Sequence, residues 1–237
     1  MRELPILLID VDGTLMDSYP GIRASFVHAL ETHGVEVPPE ERIKQIPGPP
    51  MWETLTDIGL EGELRDQVFA TYLEHQEQGG WRNATPFPGM KELLEKWQSE
   101  GIILSTATSK SEVSAERILT EHGMMEHFNV LGAAHENGTR RSKAAVIEYA
   151  LEQLKEDEEV KQVLASLDPV DAMKALDPTQ MLLIGDRIHD VEGAAASGVP
   201  AVLVEWGYGT DEERAKAAYT VASPEELDEL VQRWAND

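Results

Sequence analysis

Cysteine is absent from all 237 residues, which excludes disulfides, thiolate catalysis and cysteine-ligated metal. Bases are scarce: 20 Lys and Arg stand against 44 Asp and Glu, a formal charge of −24. Such a chain has no long-range attraction for nucleic-acid phosphates or anionic membranes, so neither is expected as a partner. Long apolar runs are missing too. No stretch is long enough to span a bilayer. The opening MRELPILLIDVDG lacks the extended apolar region and small-residue cleavage site of a secretory signal. A soluble, cytoplasmic protein is expected. Its length predicts one core with a smaller insertion, and no internal repeat interrupts it.

Short apolar runs at 5–9, 102–107, 181–184 and 201–204 read as buried strands, each followed by turn residues and then a helical pattern. That alternation predicts an α/β fold with a parallel sheet flanked by helices. Asp10, Thr108 and Asp186 then fall at the carboxyl edge of the sheet, where open α/β sheets bind ligands. Between Leu15 and about Arg82 the pattern changes. Apolar residues recur at helical spacing over 22–29, 51–58 and 64–73, Pro38-Pro39 before Glu40-Glu41 reads as a helix start, and 47–50 must be a loop. The expected division is a core of residues 1–15 and 84–237 and an all-helical insertion of residues 16–83. An acidic stretch inside 152–179 reads as a solvated excursion without turn chemistry.

Asp10-Val11-Asp12-Gly13-Thr14 places two carboxylates two residues apart at a strand end, where they repel unless something offsets their charge. A divalent cation does so, and oxygen-only ligands favour magnesium. Gly13 lets the backbone turn sharply and approach an anion; the plainer alternative is a strand-to-helix turn serving conformation alone. In Gly185-Asp186-Arg187-Ile188-His189-Asp190, Asp186 sits at a strand end and Asp190 one helical turn further. That geometry can bring both beside a cation held by Asp10, although Asp is also a favoured helix cap. The run from Ser105 to Lys110 offers hydroxyls and a free N–H at a helix start, a phosphate cradle or an ordinary turn. Lys143 closes the cluster Arg140-Arg141-Ser142-Lys143, a local counter-charge in so acidic a chain.

In order and spacing, DVDGT, the strand ending in Thr108-Ser109, Lys143 and GDRIHD resemble the four motifs of the haloacid dehalogenase superfamily. Trp206-Gly207-Tyr208-Gly209, followed by Glu212-Glu213, resembles its phosphoglycolate phosphatase-like branch. The resemblance covers nearly the whole chain. It implies a Rossmann-like parallel-sheet core with an inserted all-helical cap domain, and a phosphatase acting on a small soluble phosphate monoester. On that resemblance Asp10 is the nucleophile, forming an aspartyl-phosphate, and Asp12 the acid and base. Mg²⁺ is held by the side chains of Asp10 and Asp186 and the main-chain carbonyl of Asp12. Asp190 holds metal-bound water or orients Lys143. Thr108, the Ser109 N–H and Lys143 bind the phosphoryl group. The stretch from Lys143 to Asp186 is longer than the family's usual one.

Competing activities are weighed by residue. A halide leaving group needs no proton, so Asp12 argues against a dehalogenase. A phosphomutase of this superfamily carries a His near position 22, where Ile22 stands, although His28 is close by. A phosphonate-cleaving relative needs a cap lysine, for which Lys44 is the one candidate. A silent sensor of a phosphometabolite is expected to have lost Asp10, Asp12 or Asp186, and all are present. The substrate is expected to be phosphoglycolate-like, with a nucleoside 5'-monophosphate or a sugar phosphate as alternatives. Arg23, Lys44, Trp52 and the 47–50 loop are the candidate selectors. No oligomeric state is assigned.

Overall fold

The computed structural model describes residues 2–135 and 138–237. The chain enters through β1 (Ile6–Ile9), buried throughout, and turns into the two-residue β2 (Met16–Asp17). Four helices follow: α1 (Tyr19–Thr32), α2 (Glu40–Ile43), α3 (Met51–Asp57) and α4 (Gly62–Glu77). β3 (Thr85–Pro86) then pairs antiparallel with β2, so the helical segment leaves and rejoins the core through one two-stranded neck. Beyond it run α5 (Met90–Ser99), β4 (Ile103–Thr106), β5 (Thr108–Ser111), α6 (Glu112–Glu121) and β6 (Ala133–Ala134). The last part holds α7 (Lys143–Glu156), α8 (Glu158–Ser166), α9 (Pro169–Ala175), β7 (Leu182–Gly185), α10 (Ile188–Ala196), β8 (Ala201–Val204), α11 (Asp211–Arg214), β9 (Tyr219–Val221) and α12 (Pro224–Asn236).

The main sheet has the order β4-β1-β7-β8-β9, with every pair parallel. The chain steps from β1 to β4 on one side, then to β7 on the other, so the strand order reverses at β1. That reversal opens a crevice at the carboxyl ends of β1, β4 and β7. Alternation along the strands sorts the core into two faces. Leu7, Ile9, Leu104, Leu182 and Ile184 pack with Trp97, Leu227, Val231 and Trp234 of α5 and α12. Ile6, Leu8, Ile103 and Leu183 pack with Ile147, Ala150 and Leu154 of α7 and Val160 of α8. The helical segment buries a separate cluster, including Ile22, Phe26, Leu30, Leu55 and Val68.

Two sequence expectations differ from what is seen. The segment taken as all-helical begins with β2, which is too short to show a period-two pattern. The stretch 152–179 does carry turn chemistry. Asp157 and Asp168 each accept two backbone N–H bonds at the starts of α8 and α9, and Asp177 accepts from Thr179 N–H at the next turn. Val160 and Ala175 there are buried with the sheet residues of the second face, so one side of the excursion joins the core while the rest stays solvated. Among the described residues, no helix is long and apolar enough to cross a membrane.

Candidate active site

Three strand ends are drawn together by the backbone. Asp10 N–H donates to Ile184 O at 2.8 Å, and Ala107 N–H donates to Ile9 O at 2.8 Å. After Asp12 the chain doubles back through Gly13, at φ +85°. A Cβ there would lie 2.2 Å from Asp186 Oδ2, so only glycine lets the two motifs touch.

Asp10, Asp186 and Asp190 are all buried and offer carboxylate oxygens within 4.8 Å of one another. One base stands among them. Lys143, at the first position of α7, puts Nζ 3.0 Å from Asp10 Oδ1 and 2.7 Å from Asp190 Oδ1, and donates to Ala107 O at 2.8 Å. Asp190 closes the helix start, its Oδ2 accepting the N–H groups of Asp186 and Arg187 at 3.0 Å each, while its Oδ1 faces Lys143. Asp186 Oδ2 accepts Tyr208 N–H at 2.6 Å, and its Oδ1 is buried without a hydrogen-bond partner.

Electrostatics follow from this crowding. Burial pushes the Asp10 carboxyl up to about 6; Lys143 opposes the rise, and Asp190 and Asp12 add to it. Burial, then Asp190 and Asp10, raise Asp186 well above the carboxylate range. Burial disfavours the Lys143 ammonium, but Asp10 and Asp190 outweigh that and hold it above the usual lysine range. Carboxylates that outnumber their base, with Asp186 Oδ1 left with neither hydrogen bond nor ion pair among the described residues, fit a hard divalent cation.

Asp12 points the other way, into a cavity of about 100 Å³ between core and helical segment, which Asp10, Thr108 and Ser109 also line. Thr108 is buried in β5, and Ser109 Oγ is buried without a partner. Asp12 is held by Lys110, whose Nζ lies 2.9 and 3.1 Å from its two oxygens. Sequence reasoning gave Lys110 no role. It closes a Ser/Thr-rich run in which the hydroxyls were the readable signal.

The candidate selectors separate. Arg23 is bound to Glu40 through two hydrogen bonds of 2.8 Å, and Lys44 is exposed; neither lines the cavity. Trp52 and the 47–50 loop do line it, together with Phe69 and Tyr72. Trp52 meets Phe69 edge-on at 5.5 Å, and Arg141 from the core lies 4.6 Å from the Trp52 ring centre. The cavity roof is therefore aromatic and apolar, and its cations come from the core side as Lys110 and Arg141.

Comparison with known proteins agrees with this architecture. A family model for haloacid dehalogenase-like hydrolases matches residues 7–204. The tyrosine-protein kinase PtkA of Mycobacterium tuberculosis is 39% identical over 222 residues, covering 93% of this chain and 69% of that protein. A 5'-nucleotidase of Pseudomonas aeruginosa is 30% identical over 210 residues, covering 88% of this chain and 86% of that one. Phosphoglycolate phosphatases stand at 23–24% identity. Among solved structures, a predicted phosphatase from Clostridium acetobutylicum superposes with a TM-score of 0.82 at 27% identity, covering 97% of this chain and 99% of that one.

Proposed function

The chain belongs to the haloacid dehalogenase-like hydrolases, in the branch with phosphoglycolate phosphatases, and is a phosphoric monoester hydrolase; from that premise we propose that it works through an aspartyl-phosphate on Asp10. A carboxylate oxygen of Asp10 attacks phosphorus, and the bond from phosphorus to the ester oxygen breaks. Asp12 gives its proton to the departing oxygen. It then takes one from the water that attacks the aspartyl-phosphate, releasing inorganic phosphate and freeing Asp10. Lys110 keeps Asp12 aimed into the cavity between these transfers. Thr108, the Ser109 N–H and Lys143 receive the phosphoryl oxygens.

Mg²⁺ is the cation we assign, held by Asp10, Asp186 and the main-chain carbonyl of Asp12. When bound it neutralises phosphoryl charge beside the nucleophile. The observation that carries the whole reading is the single cluster in which Asp10 touches Lys143, neighbours Asp186 with its unpartnered oxygen, and opens with Asp12 onto one cavity.

The phosphoglycolate-like expectation loses the two cations assigned to it, since Arg23 and Lys44 do not line the cavity, and would rest instead on Arg141 from the core side. The aromatic roof favours the second reading, a nucleoside 5'-monophosphate whose base rests on Trp52, Phe69 and Tyr72. The 5'-nucleotidase relative supports it.

Purified protein tested with Mg²⁺ against phosphoglycolate, sugar phosphates and nucleoside 5'-monophosphates should release phosphate. EDTA should abolish release and Asp10→Asn should reduce it by about 10³-fold or more. Phosphate release that persists in exhaustively chelated buffer or in Asp10→Asn overturns the mechanism. ATP with a tyrosine peptide belongs in the same panel because of the kinase relative. Label recovered in the peptide rather than in phosphate would transfer the second step from water to a phenol.

A further inference from the structure

The Trp206–Gly209 loop takes no part in the chemistry above, yet it is built tightly around the site. Trp206 Nε1 donates to Thr14 O at 3.1 Å. A Cβ on Gly207 would lie 2.4 Å from both Asp186 Cβ and Gly13 O, so the loop lies flush on the first and fourth motifs. Between these contacts Tyr208 reaches in two directions. Its backbone N–H donates to Asp186 Oδ2 at 2.6 Å. Its hydroxyl accepts the N–H groups of Ser18 and Tyr19 at 2.8 and 3.0 Å and donates to Asp17 Oδ1 at 2.9 Å.

Asp17 to Tyr19 is the outgoing strand of the neck and the start of α1. Ser18 stands at the N-cap of α1 but makes no side-chain cap bond. Two of the N–H groups at this helix start, those of Ser18 and Tyr19, are satisfied from the core by the Tyr208 hydroxyl. With one donor and two acceptor sites filled, that hydroxyl has no spare capacity, and any swing of the neck breaks its bonds.

We infer that Tyr208 is a positioning residue that couples cation occupancy at Asp186 to the posture of the helical segment over the cavity. The inference rests on the cation reading of Asp10 and Asp186. Asp186 divides its two oxygens: the unpartnered Oδ1 is available to a cation, and Oδ2 is tied to the loop that holds the neck. A cation drawing on Asp186 therefore shifts an atom one residue away from the hinge contacts, and linkage makes the coupling reciprocal, so a closed segment favours the loaded site.

Trp52 reports closure, because the core residue Arg141 lies 4.6 Å from its ring centre. The test titrates Mg²⁺ into the full chain without substrate, following calorimetric binding and the emission lost in a Trp52→Phe background. The wild type should bind Mg²⁺ with a change in Trp52 emission. Tyr208→Phe keeps the backbone donor to Asp186 and loses the hydroxyl. It should still bind Mg²⁺, with a dissociation constant within about tenfold, while the emission change falls below half. Asp17→Ala, which removes the acceptor of the same hydroxyl, should behave alike and serves if Tyr208→Phe folds poorly. An undiminished emission change in a folded variant that binds Mg²⁺, or binding without any emission change in the wild type, overturns the coupling. No binding heat in the wild type would remove the cation reading itself and this inference with it; neither readout depends on turnover.

Discussion

Burial raises Asp10 to about 6 because the folded chain withholds water from its charge, and Lys143 only partly offsets that loss. An ordinary carboxylate near 3.8 has already released its proton at pH 5, so in the interval from about 4 to 6 the folded state holds more protons than the unfolded state. Stability from this group is then fully present below about pH 4 and lost as pH rises through about 6. Melting of the cation-free protein should fall between about pH 4 and 6. Asp10→Asn should flatten that fall and melt about 3 °C or more above the wild type at pH 7.5 in EDTA. Saturating Mg²⁺ should narrow the gap, since it stabilises only the chain that binds it. Equal pH slopes in the two proteins would show that Asp10 is not the strained carboxylate. The residues legible in sequence were carboxylates unusual together at strand ends, Asp10, Asp12 and Asp186, with Asp190 one helical turn beyond the last. Lys110 and Tyr208 meet partners about 100 and 190 positions away, Asp12 and the Asp17–Tyr19 neck, and although Tyr208 stands in a legible motif, no local spacing announces either contact.

At the scale of elements, apolar runs disclosed β1, β4, β7 and β8 because each is buried on both faces. β9 escaped notice because two of its three residues are exposed and only Val221 is buried. The Asp-Pro pairs at 168–169 and 177–178 were readable helix-start signals, masked by the surrounding acidity. Packing also redistributes the substrate-contacting roles. A cation early in α1 was an attractive selector by position, but Arg23 is turned towards Glu40 and away from the cavity. Arg23→Ala and Lys44→Ala should therefore leave KM within about twofold on the best substrate. Trp52→Ala removes a ring from the roof and should raise KM about tenfold for a nucleoside monophosphate, an effect of the size expected for one lost aromatic contact. Its effect on phosphoglycolate should be smaller. Steady-state kinetics on both esters decide it, and a KM rise confined to Arg23→Ala would return selection to the cation.

Across the whole molecule, a charge of −24 surrounds a site meant for a dianionic ester. The cationic groups at the site are few and already engaged: Lys143 with Asp10 and Asp190, Lys110 with Asp12, and Arg141 at the Trp52 ring. The long-range field therefore repels the substrate and attracts the cation, and only the last few ångströms are favourable to phosphate. Screening acts on the long-range repulsion of the substrate far more than on the short contacts with phosphate, because buried contacts are shielded from salt. Raising ionic strength from about 0.01 M to about 0.15 M shortens the Debye length from roughly 30 to roughly 8 Å. With Mg²⁺ kept saturating at each point, KM for a dianionic ester should fall about twofold or more while kcat stays level. An enzyme that gathers its substrate by a positive surface behaves oppositely, its association weakening as salt rises. The measurement is a KM series in NaCl for one ester at fixed pH. A KM that climbs with salt would mean that the field at the cavity mouth is positive, and that Lys110 and Arg141 reach further into solvent than their contacts with Asp12 and Trp52 imply.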